Sequence, residues 1–302
     1  MTNTELFRDF ADSIHCAFKE GEPLSAYTTF RIGGPAEMML FPQDEETLQK
    51  LLVFCKGTDT VPFLLGKGSN LLIPDSGLGG VTICTERMQK HSLLSKNEII
   101  CEAGLSLSKL CLFAHANGLS GLEFAYGIPG SVGGAVFMNA GAYGGEMRDV
   151  LSTVTSVDMD GRLHVHTADD LCLGYRASVF QENGETILSA VVRLSAGDPD
   201  EIRAKMDDVL QKRKDKQPLN FPSAGSAFKR PEGYYAGALI EQCGLKGYAI
   251  GGAQVSEKHA GFIVNRGGAS ASDVLRLIDY IQEKVQQETG VFLEPEIRCV
   301  TQ

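Results

Sequence analysis

The chain has 302 residues, of which 43% are hydrophobic and 22% charged, a balance that can build a sizeable globular core and argues against disorder. Its 28 Lys plus Arg stand against 38 Asp plus Glu, a formal net charge of -10; this excludes a general nucleic-acid binder, which needs a basic face. No apolar run reaches the roughly 18 residues of a membrane span, and none of the eight cysteines forms a CxxC pair, so neither a zinc knuckle nor a thioredoxin-like motif is expected.

The N-terminal MTNTELFRDFADSIH is an amphipathic, acid-bearing helix unlike a secretory signal, and the chain reads as cytoplasmic. AYTTFRIGGPAEMMLFP (26–42) reads as strand, turn, strand around Gly33, Gly34 and Pro35. Asp44 is a good N-cap for a helix carrying Leu48, Leu51, Leu52 and Cys55, which Gly57 ends. VPFLLGKGSNLLI (61–73) is strand, glycine loop, strand, and a short strand VTI follows. NEIICEAG reads as a strand and LSLSKLCLFAHANG as a helix closing on Gly118. STVTSVDMD and RLHVHT form a hairpin across Asp160-Gly161, and TILSAVVRLS is a further strand. Asp198-Pro199-Asp200-Glu201 starts a helix with a capping acid; it runs into the basic QKRKDKQP, either a solvated helix end or a local attraction for a phosphorylated ligand. SASDVLRLIDYIQEKVQQETG is the last helix, stopped by Gly290. The pattern is α+β, divided as 1–85, 86–196 and 197–302.

Two glycine loops stand out. In YGIPGSVGGAVFMNAGAYGG (126–145) the glycines do not follow G-x-G-x-x-G, and no βαβ unit with a downstream ribose-binding acid surrounds them. Gly66-Lys67-Gly68-Ser69-Asn70 lies between two apolar strands, where successive amides can turn inward as an anion nest. Either run could be a tightly packed turn; together they suit a long cofactor carrying a pyrophosphate outside the Rossmann scheme.

LGKGSNLLI, GLEFAYGIPGSVGGAVFMNAGAYGGEM, GYRASVF, SAGSAFKRP, GALIEQCGLKGYAIGGAQVSEKHAGFIVN and LEPEIR, in that order from about Tyr27 to Arg298, resemble the UDP-N-acetylenolpyruvoylglucosamine reductase (MurB) family. That resemblance implies two small α+β subdomains of the PCMH-type FAD-binding fold followed by a substrate-binding α+β lobe, whose last strand could return toward the flavin site. It implies that Gly66, Lys67, Gly68, Ser69, Asn70 and Leu71 hold the FAD pyrophosphate. Tyr126, Gly127, Ile128, Pro129, Gly130, Ser131, Gly133 and Gly134, with Asn139, Ala140 and Gly141, would wrap the rest of the cofactor. The loops offer no His or Cys for covalent attachment, so FAD is expected to bind reversibly.

The resemblance further implies that NADPH reduces FAD and that the reduced flavin then gives a hydride to the vinyl carbon of the enolpyruvyl ether of UDP-N-acetylglucosamine, forming UDP-N-acetylmuramate for peptidoglycan. The conjugated carboxylate must accept the arriving charge, so positive charge and strong donors are needed there. Arg176 would bind that carboxylate, Glu296 would hydrogen-bond it or orient a donor, and Ser226, polarised by a neighbour such as Lys229, would protonate the adjacent carbon. Tyr175, Lys229, Asn265 and Arg298 are candidate substrate contacts, Arg298 alternatively pairing with Glu296. His115 and His259 read as structural, and the six histidines form no metal constellation. About fifty residues separate Arg176 from Ser226, so the chain resembles the branch without the tyrosine-bearing clamp loop. Expected partners are the sugar nucleotide and NADPH, with neither nucleic acid nor membrane, and a monomeric chain. The competing readings are a PCMH-type oxidase and a nucleotide-sugar-binding protein without catalysis.

Overall fold

The computed structural model describes residues 2–300. The chain forms two compact units, Met1–Glu20 with Met38–Lys67 and Gly80–Gln211, and Gly21–Glu37 with Gly68–Gly79 and Lys212–Gln302. This differs from the contiguous division expected at 85 and 196. Segments 21–37 and 68–79 group with the C-terminal residues, and the long helix Pro199–Lys216 spans the last crossing point.

The first unit has two cores. One lies on a sheet ordered Ala17–Pro23, Pro35–Phe41, Leu78–Cys84, Phe63–Leu65, its last pair parallel in the register Phe63↔Thr82 to Leu65↔Cys84. Helix Glu45–Gly57 covers it because Leu48, Leu51, Leu52 and Cys55 fall on one face and are buried against Met38, Leu40, Val81 and Ile83. Asp44 caps that helix by accepting from Thr47 N at 2.9 Å. The cap contributes about 1 kcal/mol and each buried leucine about 1.5–3 kcal/mol, so packing fixes the helix and the cap fixes its start.

The second core joins helices Leu107–Ala116 and Val132–Phe137 to a five-stranded antiparallel sheet. Its order is Leu163–Thr167, Leu151–Val157, Thr186–Arg193, Glu98–Glu102, His91–Ser95. The Asp160-Gly161 hairpin forms, with Gly161 at φ 78 and the Asp158 carboxylate taking the N–H groups of Asp160 and Arg162, each at 2.9 Å.

The second unit packs helices Ala236–Gln242 and Ala271–Thr289 on a short sheet of Ala249–Ile250, Ala253–Val255 and Ile263–Asn265. Gly290, at φ 74, closes the last helix by donating to Gln286 O at 2.9 Å. At its other end the Asp75 carboxylate takes the N–H of Ala271 at 2.8 Å and of Ser272 at 3.2 Å. The strand expected around Tyr27–Ile32 is absent: Leu24–Tyr27 is a 3-10 turn, and Arg31 at φ 55 breaks extended geometry so that Phe30 and Ile32 both enter this core. The strand lies earlier, at Ala17–Pro23.

All eight cysteines are free and six are buried. Burial pushes the thiols of Cys55, Cys84, Cys101 and Cys111 up to about 12, so they are small apolar fillers. No helix among the described residues is long and apolar enough to cross a membrane.

Candidate active site

The 66–70 loop is glycine-rich for steric reasons that the structure makes explicit. A Cβ on Gly66 would sit 2.5 Å from Ser131 Oγ. Gly68 has φ 56, and its Cβ would lie 2.2 Å from Tyr27 O, where no side chain fits. Among the described residues the N–H groups of Lys67, Gly68, Ser69 and Asn70 donate to no protein acceptor, although Gly68 is buried. Successive unspent amides around a left-handed glycine are the chemistry of an anion nest. The loop therefore fits the pyrophosphate of a dinucleotide, with Lys67 adding a positive charge.

The second loop is more occupied with the protein itself. Val132 N donates to Leu105 O and Gly133 N to Ala103 O, both at 2.8 Å, while Gly134 N reaches Ser131 Oγ at 3.4 Å. A Cβ on Gly133 would meet Ala103 Cβ at 2.9 Å, and one on Gly141 would meet Glu146 Cβ at 2.8 Å. These glycines permit close backbone packing. Gly127 (φ 86) and Ser131 keep N–H groups without protein acceptors among the described residues. Asn139 is fully buried and its side chain is spent inside the protein: Nδ2 donates to Gly174 O and Oδ1 accepts from Arg148 N, each at 2.9 Å.

Arg176 sits on a tight turn. Gly174 N donates to Ala177 O at 3.1 Å and Ala177 N to Gly174 O at 3.3 Å, leaving Tyr175 and Arg176 at the tip. Arg176 has φ 56, a conformation that costs an L-residue about 1–2 kcal/mol. Asn139, Tyr143 and Cys172 are left-handed as well, at φ 40, 52 and 48, so backbone strain concentrates in two neighbouring stretches of one unit. Strain of this kind persists where the surroundings over-determine it, typically at functional sites. The Arg176 guanidinium lies 5.1 Å from the centre of the half-exposed Tyr175 ring and 3.4 Å from Gly141 O. Gln181 was not anticipated: its Nε2 donates to Arg176 O at 3.0 Å and to Phe137 O at 2.9 Å. Only its place after GYRASVF marks it in the sequence.

In the second unit Ser226 and Glu296 stand on adjacent chain segments. Ser226 bridges Phe262, Ala227 N donates to Gly261 O at 2.8 Å, and Glu296 N donates to Ala227 O at 2.9 Å. Asn70 joins the same group, its Nδ2 donating to Glu296 O at 3.1 Å and its carbonyl accepting from Arg298 N at 2.9 Å. Residues 298–299 run parallel to Leu71–Leu72, which brings the last strand to the 66–70 loop. The Lys229 ammonium pairs with the exposed Glu294 carboxylate. Asn265 is buried and spends its side chain on the backbone, donating to Phe30 O at 3.2 Å and accepting from Gly267 N and Ala269 N at 2.9 and 3.2 Å. These bonds hold the Asn265 amide against the backbone.

Residues 36–167 match the family described as FAD binding domain, and residues 217–300 match UDP-N-acetylenolpyruvoylglucosamine reductase, C-terminal domain. With the α+β architecture and the nest at 66–70, they define an FAD-containing oxidoreductase on a PCMH-type flavin-binding fold. The UDP-N-acetylenolpyruvoylglucosamine reductase of Syntrophomonas wolfei is 45% identical over 282 residues, covering 93% of this chain and 94% of that protein. The enzyme of the same name from Latilactobacillus sakei is 47% identical over 93% of both chains. The crystal structure of the Thermus caldophilus reductase superposes with a TM-score of 0.80 at 37% identity, covering 95% of this chain and 99% of that one. The chain belongs to the UDP-N-acetylenolpyruvoylglucosamine reductase family, whose reaction lies in peptidoglycan precursor synthesis.

Proposed function

We propose that the protein reduces the enolpyruvyl ether of UDP-N-acetylglucosamine to UDP-N-acetylmuramate with NADPH as reductant, acting as a cytoplasmic monomer with reversibly bound FAD. The observation that supports this most directly is Arg176, an L-residue kept left-handed on an anchored turn inside the GYRASVF motif.

Bound FAD would supply the two-electron chemistry, taking electrons from NADPH and passing them to the substrate double bond. The residues do the rest. The Arg176 guanidinium, planar and permanently charged, binds the enolpyruvyl carboxylate and stabilises the negative charge that develops there. Glu296 orients that carboxylate or a donor to it. Ser226 delivers the proton to the adjacent carbon, its hydroxyl made more acidic by a neighbouring positive charge such as Lys229. Tyr175, Lys229 and Arg298 remain proposed substrate contacts.

An anaerobic half-reaction tests the proposal. NADPH should bleach the bound flavin, and adding the enolpyruvyl sugar nucleotide should restore its absorbance with formation of the lactyl ether. A flavin that stays bleached until oxygen is admitted would point to an oxidase, and a protein that binds the sugar nucleotide without turnover would point to a binding protein.

A further inference from the structure

We infer that Asn139 and Gln181 are positioning residues that hold the Arg176 turn in its strained, substrate-ready geometry, so that the cofactor loop and the substrate arginine form one mechanical element. The inference rests on the proposed role of Arg176.

The turn closes on itself at its neck, between Gly174 and Ala177. Those two bonds do not dictate a left-handed Arg176, and turns usually give such a position to Gly or Asn. Two side-chain amides add to that constraint. Asn139 Nδ2 binds the second lone pair of Gly174 O at 2.9 Å, while Oδ1 of the same amide takes Arg148 N at 2.9 Å. One fully buried side chain thereby links the base of the turn to the 139–148 loop. Gln181 Nε2 holds Arg176 O at 3.0 Å and Phe137 O at 2.9 Å, fixing the carbonyl whose direction defines the left-handed residue. Ser178 Oγ donates to Phe137 O at 2.7 Å, so the chain after the turn is tied to the same helix end. The Arg176 guanidinium also reaches Gly141 O at 3.4 Å. Residues 139–141 therefore support the turn at its base and touch its tip, and a displacement of that loop would carry the arginine with it.

The test uses the FAD-loaded, full-length protein and its Gln181→Ala, Asn139→Asp, Arg176→Ala and Gln181→Ala/Arg176→Ala variants. Flavin content, melting temperature, flavin reduction by NADPH and flavin return with the enolpyruvyl sugar nucleotide are measured for each. Asn139→Asp keeps the acceptor for Arg148 N and removes the donor to Gly174 O; Gln181→Ala lies at the surface and folds independently of that outcome. In Gln181→Ala a misplaced arginine should slow flavin return by about tenfold or more, with flavin content and reduction by NADPH unchanged; Asn139→Asp should slow the return of the flavin-loaded fraction in the same way. In the Arg176→Ala background Gln181→Ala should have no further effect, because the two act through one group. An equal slowing with and without Arg176, or no slowing in either amide variant while Arg176→Ala stops the return, would overturn the positioning role alone. If Arg176→Ala leaves the return intact, the proposed role of the arginine falls, and this inference with it.

Discussion

The two segments that carry the proposed chemistry are held by opposite means. Gly174–Ala177 keeps Arg176 left-handed, closed by two neck bonds and braced by the side chains of Asn139 and Gln181. Ser226 to Lys229 has no left-handed residue and is held by main-chain rungs: Ala227 N to Gly261 O, Glu296 N to Ala227 O and Lys229 N to Glu294 O, all between 2.8 and 2.9 Å. Arg176 must therefore be an arginine against the preference of its own backbone. Ser226 and Lys229 can change side chain without disturbing what holds them. The first arrangement couples function to local stability and the second separates them.

The largest expected effects test that separation. Ser226→Ala should slow flavin return with the sugar nucleotide by about 10²–10⁴-fold and leave both flavin reduction by NADPH and the melting temperature unchanged. Equal loss in both half-reactions would make the serine structural. Arg176→Gly should slow the return by about 10²–10³-fold and melt at or above the parent temperature, because glycine releases strain of about 1–2 kcal/mol while losing about 0.5–1 kcal/mol to unfolded-state entropy. A clear fall in melting temperature would show that the turn is not strained. Gly68→Ala runs the comparison in reverse: it imposes φ 56 on a residue whose Cβ would lie 2.2 Å from Tyr27 O. It should destabilise by more than about 1–2 kcal/mol and lower flavin occupancy, read by calorimetry and by the absorbance ratio of the purified protein.

The unequal anchoring also explains what could be read from the sequence. Elements with local punctuation were legible: Asp44 caps its helix, Gly161 turns its hairpin and Gly290 ends the last helix, each through a bond within five residues. The residues from Tyr27 to Ile32 alternate like a strand, yet their path is set by a distant partner, with Asn265 holding Phe30 O across 235 positions. The unit boundaries failed to appear for the same reason, since segments 21–37 and 68–79 join residues from the far end of the chain. Motif order points to Arg176, Ser226 and Glu296 as the proposed catalytic residues, but no motif marks Gln181, and nothing local announces that the buried side chain of Asn139 bonds across 35 residues to Gly174.

A smaller effect should separate the segments by pH. His259 Nδ1 accepts from Gly261 N at 3.1 Å, and the Gly261 carbonyl is the rung that holds Ala227. Burial, with a lesser push from Lys246, moves the His259 pKa below its ordinary 6.5. The unfolded chain therefore takes up the proton first, so stability is complete above pH 6.5 and declines as pH falls from there toward the folded value. His259→Gln, which keeps an acceptor, should flatten that slope in melting curves recorded against pH. A slope unchanged in the variant would remove His259 as its source.

The smallest effect belongs to Lys229. Its ammonium pairs with Glu294, with the two side chains 34% and 63% exposed, a setting in which an ion pair contributes about 0–1 kcal/mol and is screened by salt. Its main-chain N–H carries the rung to Glu294 O at 2.8 Å, and Lys229→Met keeps that bond together with most of the aliphatic stem. The variant should melt within about 1 kcal/mol of the parent, with a difference that vanishes at high salt. A substrate contact would show separately, as a raised KM for the sugar nucleotide with flavin reduction by NADPH untouched. A larger, salt-independent loss would mean that side chains also anchor the Ser226 segment, and the contrast with the arginine turn would then be one of strain alone.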